Sequence, residues 1–178
     1  MPDYTEVVVL CEDRQQEVFA RYFLVKCGVH PRRIRVRIAP SGGGAGEQFV
    51  RDNYPSEIKA FRSRKYLNIS LAVFIDADPD YTVADRMLQL KKGLESASIE
   101  DRKPDEKIAI FIPKRNIETW IHYLRGADVN EQAQYPKLEN VSGCKLEIQQ
   151  LAANRNQPLP DTAPDSLKRA CPEMHRIL

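Results

Sequence analysis

The feature that most constrains the fold is the stretch Leu71–Asp80, which has the sequence LAVFIDADPD. Its first five residues are apolar and rich in β-branched and aromatic types, which predicts a buried strand. Asp76 and Asp78 follow at once, and Asp80 comes close behind. Because residues i and i+2 of a regular strand point to the same side, two such carboxylates can share one hard cation. Without a cation they would repel each other, so the pattern favours a metal site over an ordinary solvated loop.

Three further segments have the composition of strands, and apolar residues at helical spacing follow each strand. The additional predicted strands are Glu6–Cys11, Ile34–Ala39 and Lys107–Ile112. The predicted helices are the segment between Arg14 and Gly28, Glu47–Tyr54, Tyr81–Ala97 and the segment 117–124.

This alternation determines the predicted fold class. Four strand–helix units in succession favour an α/β fold, with a compact, mostly parallel four-stranded sheet and helices on both faces. Ile34–Ala39 alternates apolar residues with arginine, which predicts a half-exposed or edge strand with its arginines outward. Pro55 is expected to break or restart the second helix, because proline removes a helical hydrogen bond.

The apolar patterning weakens beyond residue 125. We therefore assign residues 1–125 to the α/β domain and residues 126–178 to a small irregular or helical C-terminal extension, packed on or beside it. Short helices are predicted at Cys144–Ala153 and Ser166–Ala170, with a proline-rich connector between them. A chain of 178 residues is long enough for one sizeable core but short for two.

Charge and cysteine usage narrow the possible partners and compartment. The net charge of +2 gives no global argument for nucleic acid, although arginines cluster locally in Pro31–Arg37 and in Phe61–Lys65. The four cysteines include no C-x-x-C pair, so we expect free thiols in a reducing compartment. With no leader pattern and no apolar run of membrane-spanning length, a cytoplasmic location is predicted.

The glycine-rich segment Pro40–Gly46 lies between a predicted strand and a predicted helix. Backbone N–H groups at such a junction can bind an anion, which makes Gly43 and Gly44 candidate contacts for a nucleic-acid phosphate. The spacing does not match the phosphate-binding loop of nucleotide hydrolases, and a flexible connector explains the segment equally well.

Acidic residues follow three of the four predicted strands. Glu12 comes after the first strand, Asp76 and Asp78 after the third, and Glu118 just after the fourth. Ligands of open α/β sheets bind beyond the carboxyl ends of the strands, so the topology would gather these residues at one edge. We call these four residues the acidic rim. The alternative for Glu118 is a solvent-facing helix carboxylate that pairs with His122.

Basic residues accompany the acidic rim. Lys114 and Arg115 follow the fourth strand, and Arg86 lies about one helix turn beyond the Asp76–Asp78 segment. All three are candidate contacts for a nucleic-acid backbone. Two basic residues at the start of a helix are also typical of a solvated turn.

Together these motifs resemble the TOPRIM domain, a metal-binding module of topoisomerases, bacterial primases and OLD-type nucleases. The matching segments are VVVLCED with Glu12, AVFIDAD with Asp76 and Asp78, and IPKRNIETW, which is similar to small TOPRIM-like proteins of bacterial defence loci. The resemblance covers about residues 6–125. One departure is Asp13, because the family often has glycine after the glutamate.

The resemblance implies one or two Mg²⁺ (or Mn²⁺) ions. Asp76 and Asp78 would be metal ligands, directly or through water. Glu12 would be a ligand or a general base, and Glu118 a further ligand or a residue that orients the attacking water.

We therefore expect a divalent-metal-dependent nuclease, or a related phosphodiester-cleaving enzyme, in a phage-defence or other mobile locus. Its partner would be nucleic acid, with DNA favoured over RNA. One alternative is a D-x-D nucleotide-sugar glycosyltransferase, although the chain is short for one and Glu12 would then have no role. Another is a non-catalytic TOPRIM-like binding module. Since the chain has no Walker-type lysine loop, an ATP-driven step would require a partner ATPase.

Overall fold

All four strands lie side by side in one parallel sheet, in the order β2-β1-β3-β4. The computed structural model describes residues 5–178. The strands are β1 (Glu6–Cys11), β2 (Ile34–Ile38), β3 (Ile69–Phe74) and β4 (Ile108–Phe111). The predicted α/β class is confirmed, and so is the predicted edge position of β2. In register, Cys11 pairs with Ile38 and Phe74 pairs with Phe111, so the carboxyl ends of the strands meet at one edge of the sheet.

Helices cover both faces of the sheet. They are α1 (Arg14–Lys26), α2 (Gly46–Ser63), α3 (Val83–Ser96), α4 (Ile117–Leu124), α5 (Lys145–Ala153) and α6 (Asp165–Arg176). Successive residues of a strand point to opposite faces. Val7 and Val9 of β1 accordingly pack with α1, α4, α5 and α6, whereas Val8 and Leu10 pack with α2 and α3. This two-sided burial explains why β1, β3 and β4 are apolar almost throughout.

The prediction that Pro55 breaks or restarts the second helix is wrong. Helix α2 runs unbroken through Pro55 to Ser63. Apolar side chains on both sides of the proline are buried at helical spacing: Val50, Tyr54, Ile58 and Phe61. Gly93 of α3 lies opposite, and a Cβ there would be 4.0 Å from Arg51 O and from Pro55 Cγ. Packing against α3 therefore offsets the hydrogen bond that the proline removes.

The C-terminal helices pack on the same core as the sheet. Helix α5 lies against α1, and α6 lies against β4. The indole Nε1 of Trp120 in α4 donates to Ser166 Oγ of α6 at 2.8 Å. Helix α6 extends well beyond the predicted Ser166–Ala170, because buried Leu167, Ala170 and Met174 carry its apolar face past Pro172.

The two edge strands of the sheet, β4 and β2, differ in the side chains along their outer sides. On β4, Ile110 N donates to Glu173 Oε2 at 2.7 Å, and Ile108 O accepts from Arg102 and Arg176. These side chains occupy backbone groups that would otherwise be open to another strand. On β2, the edge instead presents arginine side chains to solvent.

The four cysteines are free thiols, with Cys11 and Cys144 buried. Within residues 5–178, no helix combines the length and the apolar character that crossing a bilayer requires.

Candidate functional site

The two acidic residues that follow β1 accept hydrogen bonds from different parts of the fold. Asp13 is the N-cap of α1, and its Oδ1 accepts from Gln16 N at 2.9 Å. Glu12 instead reaches across to the loop after β3, where its Oε1 accepts from Asp76 N at 2.5 Å. Asp13 thus takes the position where the TOPRIM family often has glycine, and it starts the helix there.

Glu12 and Asp76 are joined in a closed ring of hydrogen bonds through Gln16. Gln16 Nε2 donates to Asp76 Oδ1 at 2.9 Å, and Gln16 Oε1 accepts from Glu12 N at 2.8 Å. Gln16 is completely buried. We call Glu12 and Asp76 the carboxylate pair. The ring sets the relative position of the pair, and one oxygen of each carboxylate takes part in it.

Sequence reasoning missed Gln16. The available indication was its position three residues after the N-cap, where a glutamine side chain commonly turns back to a backbone N–H at the helix start. In this chain it does so at Glu12 rather than at Asp13 itself.

Both members of the carboxylate pair resist ionisation. Burial raises the pKa of Glu12 to about 8, and the charges of Asp78 and Asp13 add to the effect against the hydrogen bond from Asp76 N. The pKa of Asp76, which is 6% exposed, is raised well above its usual range by burial and then by Glu12, Asp13 and Glu118. Holding both groups ionised would require a compensating positive charge.

Glu118 lies in the first turn of α4 and is 2% exposed, so the solvent-facing alternative is wrong. Burial raises its pKa, and repulsion from Asp13 adds to this against the hydrogen bond from its own backbone N–H. His122 lies near Pro136 O, at 3.2 Å from its Nε2. Because the charge of Glu118 contributes to the raised pKa of Asp76, the acids after β1, β3 and β4 act on one another electrostatically.

Asp78 is directed elsewhere. Strand β3 ends at Phe74, so the regular alternation that would align Asp76 and Asp78 has already stopped. Asp78 has a φ of 59° and forms an isolated bridge with Arg115, whose φ is 70°. Its carboxylate is 46% exposed and accepts from Arg86 at 3.1 Å. The Glu12 carboxylate thus bonds to the backbone of Asp76, whereas the Asp78 carboxylate bonds to Arg86.

Arg86 is an internal residue with 1% exposure. Its guanidinium donates to Asp76 O at 2.9 Å, to Glu47 Oε2 at 3.0 Å and to Asp78 Oδ2 at 3.1 Å. The ring of Tyr81 lies 4.8 Å from its Cζ. We call Arg86, Glu47 and Asp78 the arginine cluster. A buried guanidinium with these partners has no surface to offer a phosphate, and it positions the turn after β3 instead.

The other predicted basic contacts remain near the surface. Lys114 Nζ donates to Asp78 O at 3.0 Å and to Tyr81 O at 2.5 Å, so it ties the start of α4 to the loop after β3. Arg115 is partly exposed beside this loop. Both residues lie at the carboxyl edge of the sheet, as the sequence indicates.

The glycine-rich loop approaches the site through Gly46 rather than through Gly43 or Gly44. A Cβ on Gly46 would lie 2.8 Å from Glu12 Cβ, so only glycine lets the start of α2 pack there. Gly43 and Gly44 are exposed, and Gly43 N already donates to Pro40 O at 3.2 Å.

The acidic side chains at this edge are of the chemical type that binds a hard cation, but their positions do not form a complete coordination site. Among residues 5–178, no group of three or more His, Cys, Asp or Glu side chains is placed to hold a metal ion. Carboxylate oxygens are the donors that Mg²⁺ prefers. Glu12 Oε2 and Asp76 Oδ2 take no part in the hydrogen-bonded ring and would be the donors of the carboxylate pair.

Comparisons of the chain with known protein families, with characterised proteins and with solved structures found no significant match. The TOPRIM resemblance therefore stays a prediction, carried by the motifs and their positions.

Proposed function

We propose that the protein is a divalent-metal-dependent nuclease, or a related phosphodiester-cleaving enzyme, of TOPRIM type. The observation that carries the proposal is the carboxylate pair. Glu12 and Asp76 come from loops after neighbouring parallel strands, they are in contact, and their pKa values are raised. Within residues 5–178, no ion pair includes Glu12, Asp76 or Glu118. A bound cation would supply the missing positive charge.

In this proposal, Glu12 and Asp76 bind the Mg²⁺ or Mn²⁺ ion. When bound, such an ion neutralises phosphate charge and lowers the pKa of a water molecule. Gln16 keeps the two carboxylates in place through its hydrogen bonds. Glu118, a buried carboxyl group whose pKa is raised by burial, accepts a proton from the attacking water or serves as a further ligand.

A polymer substrate is favoured by the place of these residues in the fold. They lie at the carboxyl edge of the sheet, whereas a cleft of about 780 Å³ is lined by residues of α4, α5 and the segments 126–128 and 154–162 and by none of the acidic rim. A D-x-D glycosyltransferase is less favoured, because its two aspartates would share one ion while Asp78 bonds to Arg86 here. A role in phage defence beside a partner ATPase, in the cytoplasm, rests on the resemblance and the composition.

A cleavage assay tests the proposal. Supercoiled plasmid, single-stranded DNA and RNA are each incubated with the protein in Mg²⁺ or Mn²⁺. We expect Asp76→Asn and Glu12→Gln to lower the cleavage rate at least about 100-fold, because each removes a ligand of the catalytic ion. Asp80→Asn is the matched control, since Asp80 is an exposed acid of the same loop. Equal cleavage by the wild type and Asp76→Asn would overturn the proposal.

A further inference from the structure

The outer edge of the sheet at β2 carries a concentration of positive charge that the cleavage chemistry does not use. Residues 14–37 contain seven arginines and lysines and one acid, in a chain whose net charge is only +2. We call Arg32, Arg33, Arg35 and Arg37 the basic edge. The first two belong to the 3₁₀ turn before β2 and the last two to β2 itself.

The basic edge leads directly to the carboxylate pair. Strand β2 pairs only with β1 in the described sheet, so its other side is open. At its carboxyl end, Ile38 is in register with Cys11, and Ala39 N donates to Cys11 O at 3.3 Å. Cys11 immediately precedes Glu12. Neighbouring strands lie about 4.8 Å apart, so the end of β2 is one strand spacing from the loop that carries Glu12.

The length of the basic edge suits a short stretch of a nucleic-acid strand. From Arg33 to Arg37 the chain advances four residues at about 3.3 Å each, or about 13 Å. A strand of B-form DNA advances about 3.4 Å along its axis per phosphate, so about four phosphates cover the same distance.

The arginines of the edge are exposed and are incompletely neutralised. Arg32 and Arg33 are exposed, and the side chain of Arg35 is 66% exposed although it pairs with Glu6 at 3.2 Å. Arg37 is 46% exposed and pairs with Glu57. Glu6 also pairs with Arg64 at 3.4 Å. With Arg33 left aside, four arginines thus face two carboxylates among residues 5–178, and a net positive surface remains.

We propose that the basic edge binds the phosphate backbone of a nucleic-acid strand and directs it towards the carboxylate pair. The occupant follows from charge complementarity and from the continuity of the edge with the site. The inference rests on the proposed function for the cleavage of the bound strand at the carboxylate pair, whereas binding along the basic edge requires no cleavage.

The test compares two double variants that remove the same charge. Arg32→Ala/Arg35→Ala removes two exposed arginines of the edge, and Glu6 keeps Arg64 as its partner. Arg37 is retained, because its loss would leave the buried Glu57 without its partner. Lys91→Ala/Lys92→Ala is the matched control, since both lysines are exposed on α3. Thermal unfolding verifies that both variants fold like the wild type.

Binding is measured by fluorescence anisotropy with labelled single-stranded and duplex oligonucleotides in EDTA, over a range of salt concentrations. We expect the edge variant to bind at least about 10-fold more weakly, and its slope of log K against log salt on duplex to fall by about 1.8, or 0.9 for each lost phosphate contact. The control should bind within about 2-fold of the wild type, because its lysines lie on α3 and not on the basic edge.

Equal affinity of the two variants, or no oligonucleotide binding by the wild type, would overturn the inference. Stronger binding of a polyglutamate peptide than of the oligonucleotides would also overturn it. Cleavage of plasmid by the wild type is measured in parallel. Binding through the edge without cleavage supports the inference and contradicts the proposed function, whereas cleavage with unchanged binding by the edge variant does the reverse.

Discussion

Two groups of acids lie at the carboxyl edge of the same sheet, and the fold treats them differently. In the arginine cluster, Glu47 and Asp78 both bond to the buried Arg86. The pKa of Glu47 is lowered, mainly by its hydrogen bonds with Arg51 and further by Arg86. Burial raises the pKa of Asp78, and the charge of Arg86 opposes that shift. In the carboxylate pair, the Glu12 carboxylate accepts from Asp76 N, the Asp76 carboxylate accepts from Gln16 Nε2, and the pKa values of both are raised.

Under the proposed function, this difference favours the carboxylate pair as the binding site of the metal ion. Burying like charges without compensation is costly. The arginine cluster contains the guanidinium of Arg86, whereas the carboxylate pair is bonded to the neutral amide of Gln16. We infer that the carboxylate pair is kept for a metal ion, while the arginine cluster maintains the turn between Asp76 and Asp78. The predictions below test this division from the largest expected effect to the smallest.

Removing Arg86 should give the largest loss of stability. Arg86→Ala removes the donor to Asp78 Oδ2 and to the backbone carbonyl of Asp76 and leaves Glu47 with Arg51 alone, and breaking a buried charge network of this kind costs about 3–5 kcal/mol. The measurement is the free energy of unfolding in urea. Lys92→Ala, at an exposed position of the same helix, should stay within about 0.5 kcal/mol of the wild type. Similar losses in the two variants would contradict a structural role for Arg86.

Adding one methyl group at Gly46 should disturb the carboxylate pair. The new Cβ of Gly46→Ala would lie 2.8 Å from Glu12 Cβ and 3.0 Å from Glu12 O, so the start of α2 must shift at a cost of about 1–3 kcal/mol. Gly93→Ala is the matched helical control, because its Cβ meets atoms only at 4.0 Å. Alanine is the better helix former there, so we expect no loss or a small gain in the free energy of unfolding. A gain in both variants would argue against close packing at Glu12.

The pH dependence of stability should show the cost of the carboxylate pair. The pKa of Glu12 rises from 4.5 to about 8 on folding, so its stabilising contribution is complete below pH 4.5 and is lost as pH rises to about 8. In EDTA, the wild type should therefore lose stability across this range. Glu12→Gln should lose less, and its advantage over the wild type should be larger at pH 8 than at pH 4.5. Parallel curves for the two proteins would show that Glu12 ionises normally.

The elements of the fold were predictable because they depend on runs of apolar residues. Strand β1 has the predicted bounds, and the remaining strands end within a few residues of the prediction. Parallel topology alone places the residues that follow β1, β3 and β4 at one edge of the sheet. The sequence therefore sufficed to predict that Glu12, Asp76 and Glu118 lie at that edge.

Features that depend on tertiary contacts were not predictable from pattern. Arg86 lies beside the apolar stripe of α3, and only the acids and carbonyls that surround it explain its burial. The left-handed backbone of Asp78 follows from its bridge to Arg115, which is 37 residues away in the chain. Pro55 is tolerated because the packing of α2 on α3 outweighs local preference.

The most direct test of the division between the two acidic groups is a titration of the protein with Mn²⁺, monitored by calorimetry, for matched variants. The account predicts that Asp76→Asn and Glu12→Gln each weaken binding at least about 100-fold, while Asp78→Asn changes it by less than about 5-fold. Loss of binding in Asp78→Asn with retention in Glu12→Gln would contradict the account, and it would assign the ion to the D-x-D motif instead.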